Sequence, residues 1–363
     1  MSKKLNLLAI LTLSLMVMFT VSCEGPAGED GAMGPEGPAG EDGQDAQVTC
    51  LGCHNDATLL DNQLEMARSQ HGIGEFADYA GGRSSCAKCH SHEGFVEWAA
   101  SGTVSGNYLT PTEWKCSTCH GLHQTFDEGF ADTTDYALRT TSAITMLFDE
   151  TTEADIDPSS NLCVNCHQAR RAADYYDDGT GTMVMLSSSH AGPHHGPQSN
   201  LLLGNNGTTA GSPFTQHVEA GCVGCHMKET TGDDLNVAGG HTFWATVESC
   251  QDCHSSATSL DVFNVQTNTA AKLETLAGIL ENLEGNAIER IDGVWTVIAD
   301  STVHGPLHFD EEDGAYHPVV GQYDRAVFNA FWDYMYVAED RSLGVHNPTY
   351  ANALLDAAIA AVE

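Results

Sequence analysis

Twelve of the thirteen cysteines in this sequence fall in six copies of one pattern, Cys-x-x-Cys-His. The copies are Cys50-Cys53-His54, Cys86-Cys89-His90, Cys116-Cys119-His120, Cys163-Cys166-His167, Cys222-Cys225-His226 and Cys250-Cys253-His254. Two thiols three positions apart can add to the two vinyl groups of one haem. The histidine after the second thiol is then set beneath the iron as proximal ligand. Zinc sites and redox dithiols also use Cys-x-x-Cys. A zinc site, however, needs two further ligands at matching spacing, and neither chemistry explains a histidine after every second cysteine. The sequence therefore implies six covalently bound c-type haems, with thioether links at these twelve cysteines and proximal ligation by the six motif histidines. The cysteine left over is Cys23.

What such haems do depends on the opposite face of each iron. A second histidine there gives a six-coordinate, low-spin electron carrier, and an open face permits substrate chemistry. Of 18 histidines, 12 lie outside the proximal positions, twice the number full bis-His ligation needs. The candidate distal ligands are His71, His123, His195, His217, His241 and His346. His123 follows a proximal histidine by three residues, too close to reach the other face of the same haem, so it should serve a neighbour. His194 and His195 are adjacent and their side chains diverge, so one of the two is expected to bind a given iron; His195 is the choice, with little to separate them. His346 precedes Asn347-Pro348, a rigid helix entry. Surface roles are expected for His92, His190, His304, His308 and His317.

The elements that must position these residues are short. First cysteines of successive motifs are 36, 30, 47, 59 and 28 residues apart, which argues against a tandem repeat of one module. At this density the haems must supply much of the apolar core, with turns and short helices between them. Asp174–Gly181 and Gly204–Ser212 read as loops. Periodicity appears only from about residue 267. Leu273, Leu276, Leu280 and Leu283 recur at helical spacing with Gly285 as the expected stop. Ile291-Asp292-Gly293-Val294 predicts a tight hairpin, returning through Trp295, Val297 and Ile298. A second helix is expected over Tyr323–Glu339. A third starts at Asn347-Pro348 and buries Tyr350, Leu354, Leu355 and Val362. The fold class is mainly α with extensive irregular loops, stacked haems as the core, C-terminal helices and a small β-hairpin.

Lys3 and Lys4, the largely apolar Leu5–Val21 and then Thr20-Val21-Ser22-Cys23 read as a lipoprotein signal over 1–22 and lipidation at Cys23. An uncleaved anchor is the other reading, since about 17 residues is at the low limit for spanning. Residues 23–46 carry glycine at every third position from Gly25 to Gly43, the collagen period. A trimeric stalk is one expectation. Its acidic residues lack basic partners, which favours a flexible spacer reaching about 60 Å at about 3 Å per residue. Residues 47–265 hold the haem motifs and 266–363 a C-terminal helical segment. With 14 basic and 50 acidic side chains, the formal charge of −36 makes nucleic acid an implausible partner and basic redox proteins or an extracellular acceptor plausible ones.

Three strings carry a family resemblance: Gly192-Pro193-His194-His195-Gly196-Pro197-Gln198, Gly239-Gly240-His241-Thr242-Phe243, and Glu339-Asp340-Arg341-Ser342-Leu343-Gly344-Val345-His346-Asn347-Pro348-Thr349-Tyr350-Ala351. Over residues 47–363 the chain resembles extracytoplasmic multihaem cytochromes related to pentahaem nitrite reductase and octahaem hydroxylamine oxidoreductase. The resemblance implies distal roles for His346 and His241. Those nitrite reductases carry a Cys-x-x-Cys-Lys haem, whereas every motif here ends in histidine. The leading expectation is an electron carrier at the periplasmic or cell-surface side of a bacterial membrane. The alternative is an oxidoreductase with one open haem acting on a small nitrogen or sulfur substrate, anchored by Arg170, Arg171 or Arg341, although pairing with haem propionates is favoured for those arginines. An adhesive lipoprotein would explain the Gly-x-y segment but leave the haems idle.

Overall fold

The computed structural model describes residues 54–123, 136–229 and 238–363. The signal-like segment, Cys23, the Gly-x-y run, Cys50 and Cys53 lie outside the described residues. Leu51–Glu363 forms one compact unit, so the motif-bearing stretch and the C-terminal segment share a single body.

Short capped helices make up the motif-bearing part. Asn55 caps α1 (Asp56–Arg68) by accepting from Thr58 N at 2.9 Å. The buried Ser69 does the same for α2 (Gln70–Ile73), accepting from Gly72 N at 3.0 Å. Then come α3 (Ser84–His90), α4 (His92–Ser101), α5 (Cys116–Cys119), α6 (Pro158–Val164), α7 (Gln198–Leu203), α8 (Thr215–His226) and α9 (Val247–Gln251). A single helical turn suffices to bring cysteines i and i+3 onto one face, so longer helices are not required. The strands in this part are β1 (Ile144–Thr145), paired antiparallel with β2 (Glu153–Ala154), and β3 (Met183–Leu186). Ile144, Met146, Ala154 and Val164 form a small buried cluster.

The main apolar core lies instead at the C-terminal end. The helix α10 (Val265–Glu281) buries Leu273, Leu276 and Leu280 on one stripe. It stops at Asn282, short of the expected Gly285, which sits in β4 (Glu284–Ile291). The glycine serves packing rather than termination: a Cβ there would meet the Tyr323 ring at 2.3 Å. The hairpin is where the sequence puts it. Ile291 pairs with Val294 of β5 (Val294–His304), and Asp292 and Gly293 turn with φ of 51° and 85°, the sense a two-residue hairpin loop requires. β6 (Leu307–Asp310) pairs with β7 (Ala315–Pro318), while β8 (Gly321–Asp324) completes an antiparallel sheet of order β3-β8-β4-β5.

Asp324 caps α11 (Arg325–Asp340), accepting from Ala326 N at 2.8 Å, so Tyr323 lies within the strand and does not open the helix as the sequence suggested. The last helix, α12 (Pro348–Val362), begins as expected: Asn347 accepts from Tyr350 N at 3.0 Å and Pro348 occupies the first position. Trp332, Phe328, Phe331, Tyr336 and Leu354 are fully buried between these helices. Their polar atoms, and those of neighbouring residues, reach outward to the loop 204–212. Trp332 Nε1 donates to Asn206 O (3.0 Å), Tyr336 OH to Asn205 O (2.5 Å), Tyr350 OH to Thr209 O (2.7 Å) and Asn347 Nδ2 to Ser212 O (2.9 Å). The C-terminal core thereby fixes the loop that leads into α8 and the fifth motif.

Candidate functional site

Ten of the twelve motif cysteines lie among the described residues. Neighbouring motifs pack directly on one another. Cys89 Sγ lies 3.7 Å from Asn165 O and Cys166 Sγ 3.8 Å from Lys88 O, a reciprocal contact of the second and fourth motifs. Ser160 Oγ, three residues before Cys163, accepts from Cys222 N at 2.8 Å and from Val223 N at 3.4 Å, which joins the fourth motif to the fifth.

The motif histidines meet the other histidines of the chain in pairs. Ring centroids are 6.0 Å apart for His54 and His123, 6.0 Å for His167 and His71, and 6.1 Å for His90 and His194. They are 6.2 Å apart for His120 and His241 and 6.2 Å for His226 and His346. His217 Nδ1 is bound to Val345 O at 2.8 Å, and the His254 ring lies 5.3 Å from that of Phe263. Two imidazoles on opposite faces of one metal, with bonds of about 2 Å and ring centres about 1.1 Å behind each nitrogen, have centroids about 6.3 Å apart. The observed pairs fit an iron between them.

Three motif histidines have their outer ring nitrogens held as metal-binding histidines require. Nδ1 of His120 bonds Tyr136 O (2.7 Å), that of His226 bonds Phe243 O (2.9 Å), and that of His167 lies 3.2 Å from Gln198 Oε1. An Nδ1–H donated to an oxygen leaves the Nε2 lone pair for a metal. Burial, then His167, pushes His71 down to about 4; burial, then Arg170, pushes His194 down to about 4, so both are neutral donors at ordinary pH. At His346 burial also acts downward, but the Asp340 carboxylate overrides it and raises the group.

Local sequence explains several placements. Gly192-Pro193-His194-His195 turns through φ of 79° and 25° at the two histidines, which splits their directions. His194 faces His90. His195 is drawn to α11, where its backbone N–H donates to Glu339 Oε2 at 2.6 Å and its Nδ1 lies 3.3 Å from Oε1. The structure thus puts His194, and not the expected His195, opposite a motif histidine. Adjacent positions carry no periodic signal that could separate them. Gly240 is required beside His241: a Cβ would fall 2.3 Å from Glu65 Oε2, the oxygen that accepts from His241 N at 2.8 Å. Gln198 and Asp340 lie within the strings that carry the resemblance but had no role assigned, and Glu65 carries no motif.

Of the remaining histidines, His92 Nδ1 lies 2.7 Å from Thr118 Oγ1, His317 Nε2 lies 2.8 Å from Asp313, His308 sits 3.8 Å from Glu281, and His190 and His304 are exposed. Arg171 donates to Tyr176 OH at 2.8 Å and lies 4.2 Å from the Tyr175 ring centre.

Residues 212–363 match the family model for cytochrome c552. That span holds the fifth and sixth motifs with His217, His241 and His346. The chain is also 25% identical over 189 residues to the C-type polyheme cytochrome OmcC of Geobacter sulfurreducens, which covers 47% of this chain and 24% of that protein. It therefore spans about a quarter of the length of the curated relative it matches. Outer cell wall cytochrome OcwA superposes with a TM-score of 0.49 at 20% identity, over 82% of this chain and 50% of that one. The sequence matches and the repeated motif support a multihaem c-type cytochrome. No helix among the described residues is long and apolar enough to cross a membrane.

Proposed function

We propose that this protein is a hexahaem electron carrier whose irons are each held between two histidines. The ring pairs carry the reading: five motif histidines stand 6.0–6.2 Å from a partner ring. On this reading the distal ligands are His123, His194, His241, His71, His346 and His217, serving the first to sixth motifs in that order. The haems supply reversible one-electron chemistry; the chain attaches them through its cysteines, saturates their irons and fixes the imidazole tautomers. The contacts between motifs support a route from the second motif through the fourth to the fifth. Lys228, two residues after His226, pairs with Asp252 inside the sixth motif, which extends the same route to the sixth.

The carrier works outside the cytoplasm, where c-type haem is attached. Cys23 carries a lipid, and the Gly-x-y segment is a spacer between the anchor and the haem body. Its partners are other redox proteins or an extracellular acceptor, with Arg170, Arg171 and Arg341 serving the haem propionates.

Electron paramagnetic resonance of the oxidised protein, with haem quantified as the pyridine haemochrome, tests this reading. Six haems per chain, all low-spin, is the expected result. A stoichiometric high-spin signal that shifts with nitrite or hydroxylamine would establish the alternative, an oxidoreductase with one open iron.

A further inference from the structure

Asp340 is the last residue of α11 and is almost fully buried, with its side chain 0% exposed. Its two oxygens are directed differently. Oδ2 accepts from Ser342 N at 3.1 Å and from the Ser342 hydroxyl, which closes the turn that follows the helix. Oδ1 lies 2.6 Å from Nδ1 of His346. That turn runs through left-handed Arg341 (φ 62°), Leu343 (φ 53°) and Gly344 (φ 85°), bringing His346 back beneath the carboxylate it left six residues earlier. With Nδ1 engaged, Nε2 is the nitrogen left to face His226.

A bonded carboxylate sets this histidine apart: at His241 the Glu65 carboxylate lies 4.0 Å from Nδ1, beyond hydrogen-bond reach, and its Oε2 accepts from the backbone N–H instead. His120, His217 and His226 are bound to backbone carbonyls and His167 to the neutral amide of Gln198. A neutral acceptor fixes a tautomer. A buried carboxylate does more, because it draws the Nδ1 proton toward itself and gives the ring imidazolate character. The ring then becomes a stronger donor through Nε2. The fixed negative charge, in a medium of low dielectric constant, also favours the ferric over the ferrous state. Both effects act in one direction. The second motif has the opposite surroundings: His90 Nδ1 is buried without an acceptor, in the field of Arg170 and Arg83.

We infer that Asp340 tunes the haem of the fifth motif, through His346, to a lower reduction potential than its neighbours. The inference rests on the assignment of His226 and His346 as one ligand pair, made in the preceding section.

The test uses the full-length haem-loaded protein. Asp340→Asn keeps the size of the side chain and an oxygen to accept from Nδ1, but removes the charge. The expected result is six low-spin haems and, in a spectroelectrochemical titration, one wave displaced upward. The displacement should be at least a tenfold change in that haem's equilibrium, about 59 mV for one electron. Unchanged waves with all haems low-spin would overturn the inference, and so would a high-spin haem in this variant, since Asp340 would then merely hold His346 in place. If the variant does not fold, the unmodified protein decides. It should show one low-spin ferric signal of compressed g anisotropy integrating to a single haem, and its absence would overturn the inference. His346→Ala separates the ligand assignment from the tuning. One haem should become high-spin, and a fully low-spin spectrum would overturn the assignment itself.

Discussion

Adjacent histidines show how finely residue identity is divided in this chain. His194 and His195 share composition, neighbours and a glycine-proline frame, yet the left-handed backbone at both sends one ring toward His90 and the other toward Glu339. His194→Ala should convert one haem of six to a high-spin species, and His195→Ala should leave all low-spin; paramagnetic resonance of the two variants checks this. A second residue reports on the polar frame. Asp333 is 2% exposed, and burial holds its carboxyl up at about 6 despite bonds from Thr208 N (2.9 Å) and Thr208 Oγ1 (2.5 Å). A carboxyl raised above its unfolded value of 3.8 binds its proton more tightly in the folded state. Stability should then fall as pH rises from about 4 through about 6, by about 3 kcal/mol at most. Asp333→Asn should flatten that part of the denaturation profile, gaining on the parent protein at pH 7.5 relative to pH 4.5. The six Cys-x-x-Cys-His copies are legible at this scale because that spacing suits one small molecule. The contacts of Asp340, Gln198 and Glu65 are not: Glu65 meets His241 N and Gln198 meets His167 Nδ1 from remote segments, and Asp340 meets His346 only because left-handed residues fold the turn between them back.

Elements were legible where periodicity and caps agree. The Asp292-Gly293 turn and the Asn347-Pro348 helix start are local chemistry, and both are found in place. Gly285 misled because the same residue that ends helices also admits a close aromatic ring, here Tyr323. The length of β5 was unreadable for a related reason: its partner in sequence, β4, is also hydrogen-bonded to β8, some 30 residues further on. Asn347 joins two functions, capping α12 and holding the carbonyl of Ser212. Asn347→Ala should cost about 1–2 kcal/mol for the cap, with more from the unbonded Ser212 carbonyl. Chemical denaturation measures the total. Because the affected loop leads into α8, the fifth haem should be the first to lose its low-spin signal as denaturant rises.

At the scale of the molecule, the aromatic core lies in the C-terminal third, joined by Val184, Leu186, Ala191 and Leu201, and among the described residues the motif-bearing part has a small apolar cluster of its own. Removal of the Gly-x-y segment tests its role. A spacer leaves the sedimentation mass at that of a monomer with or without residues 25–45, whereas a stalk gives a trimer that its deletion dissociates. The acidic balance of −36 should make electron exchange with a basic partner slow steeply as ionic strength rises, measured by stopped-flow. The histidine pairs have one further effect, on how the chain becomes a protein at all. They join positions 69 residues apart for His54 and His123, and 121 apart for His120 and His241. Each iron held by such a pair would be a reversible staple across a long loop. A permanent cross-link closing about 100 residues limits the unfolded chain by about 4.7 kcal/mol. Nearly every staple crosses another, and that of the fifth motif cannot form until residue 346 has been made. A chain truncated before residue 346 would therefore leave the fifth motif without its second ring, while the pairs within residues 54–254 could still close.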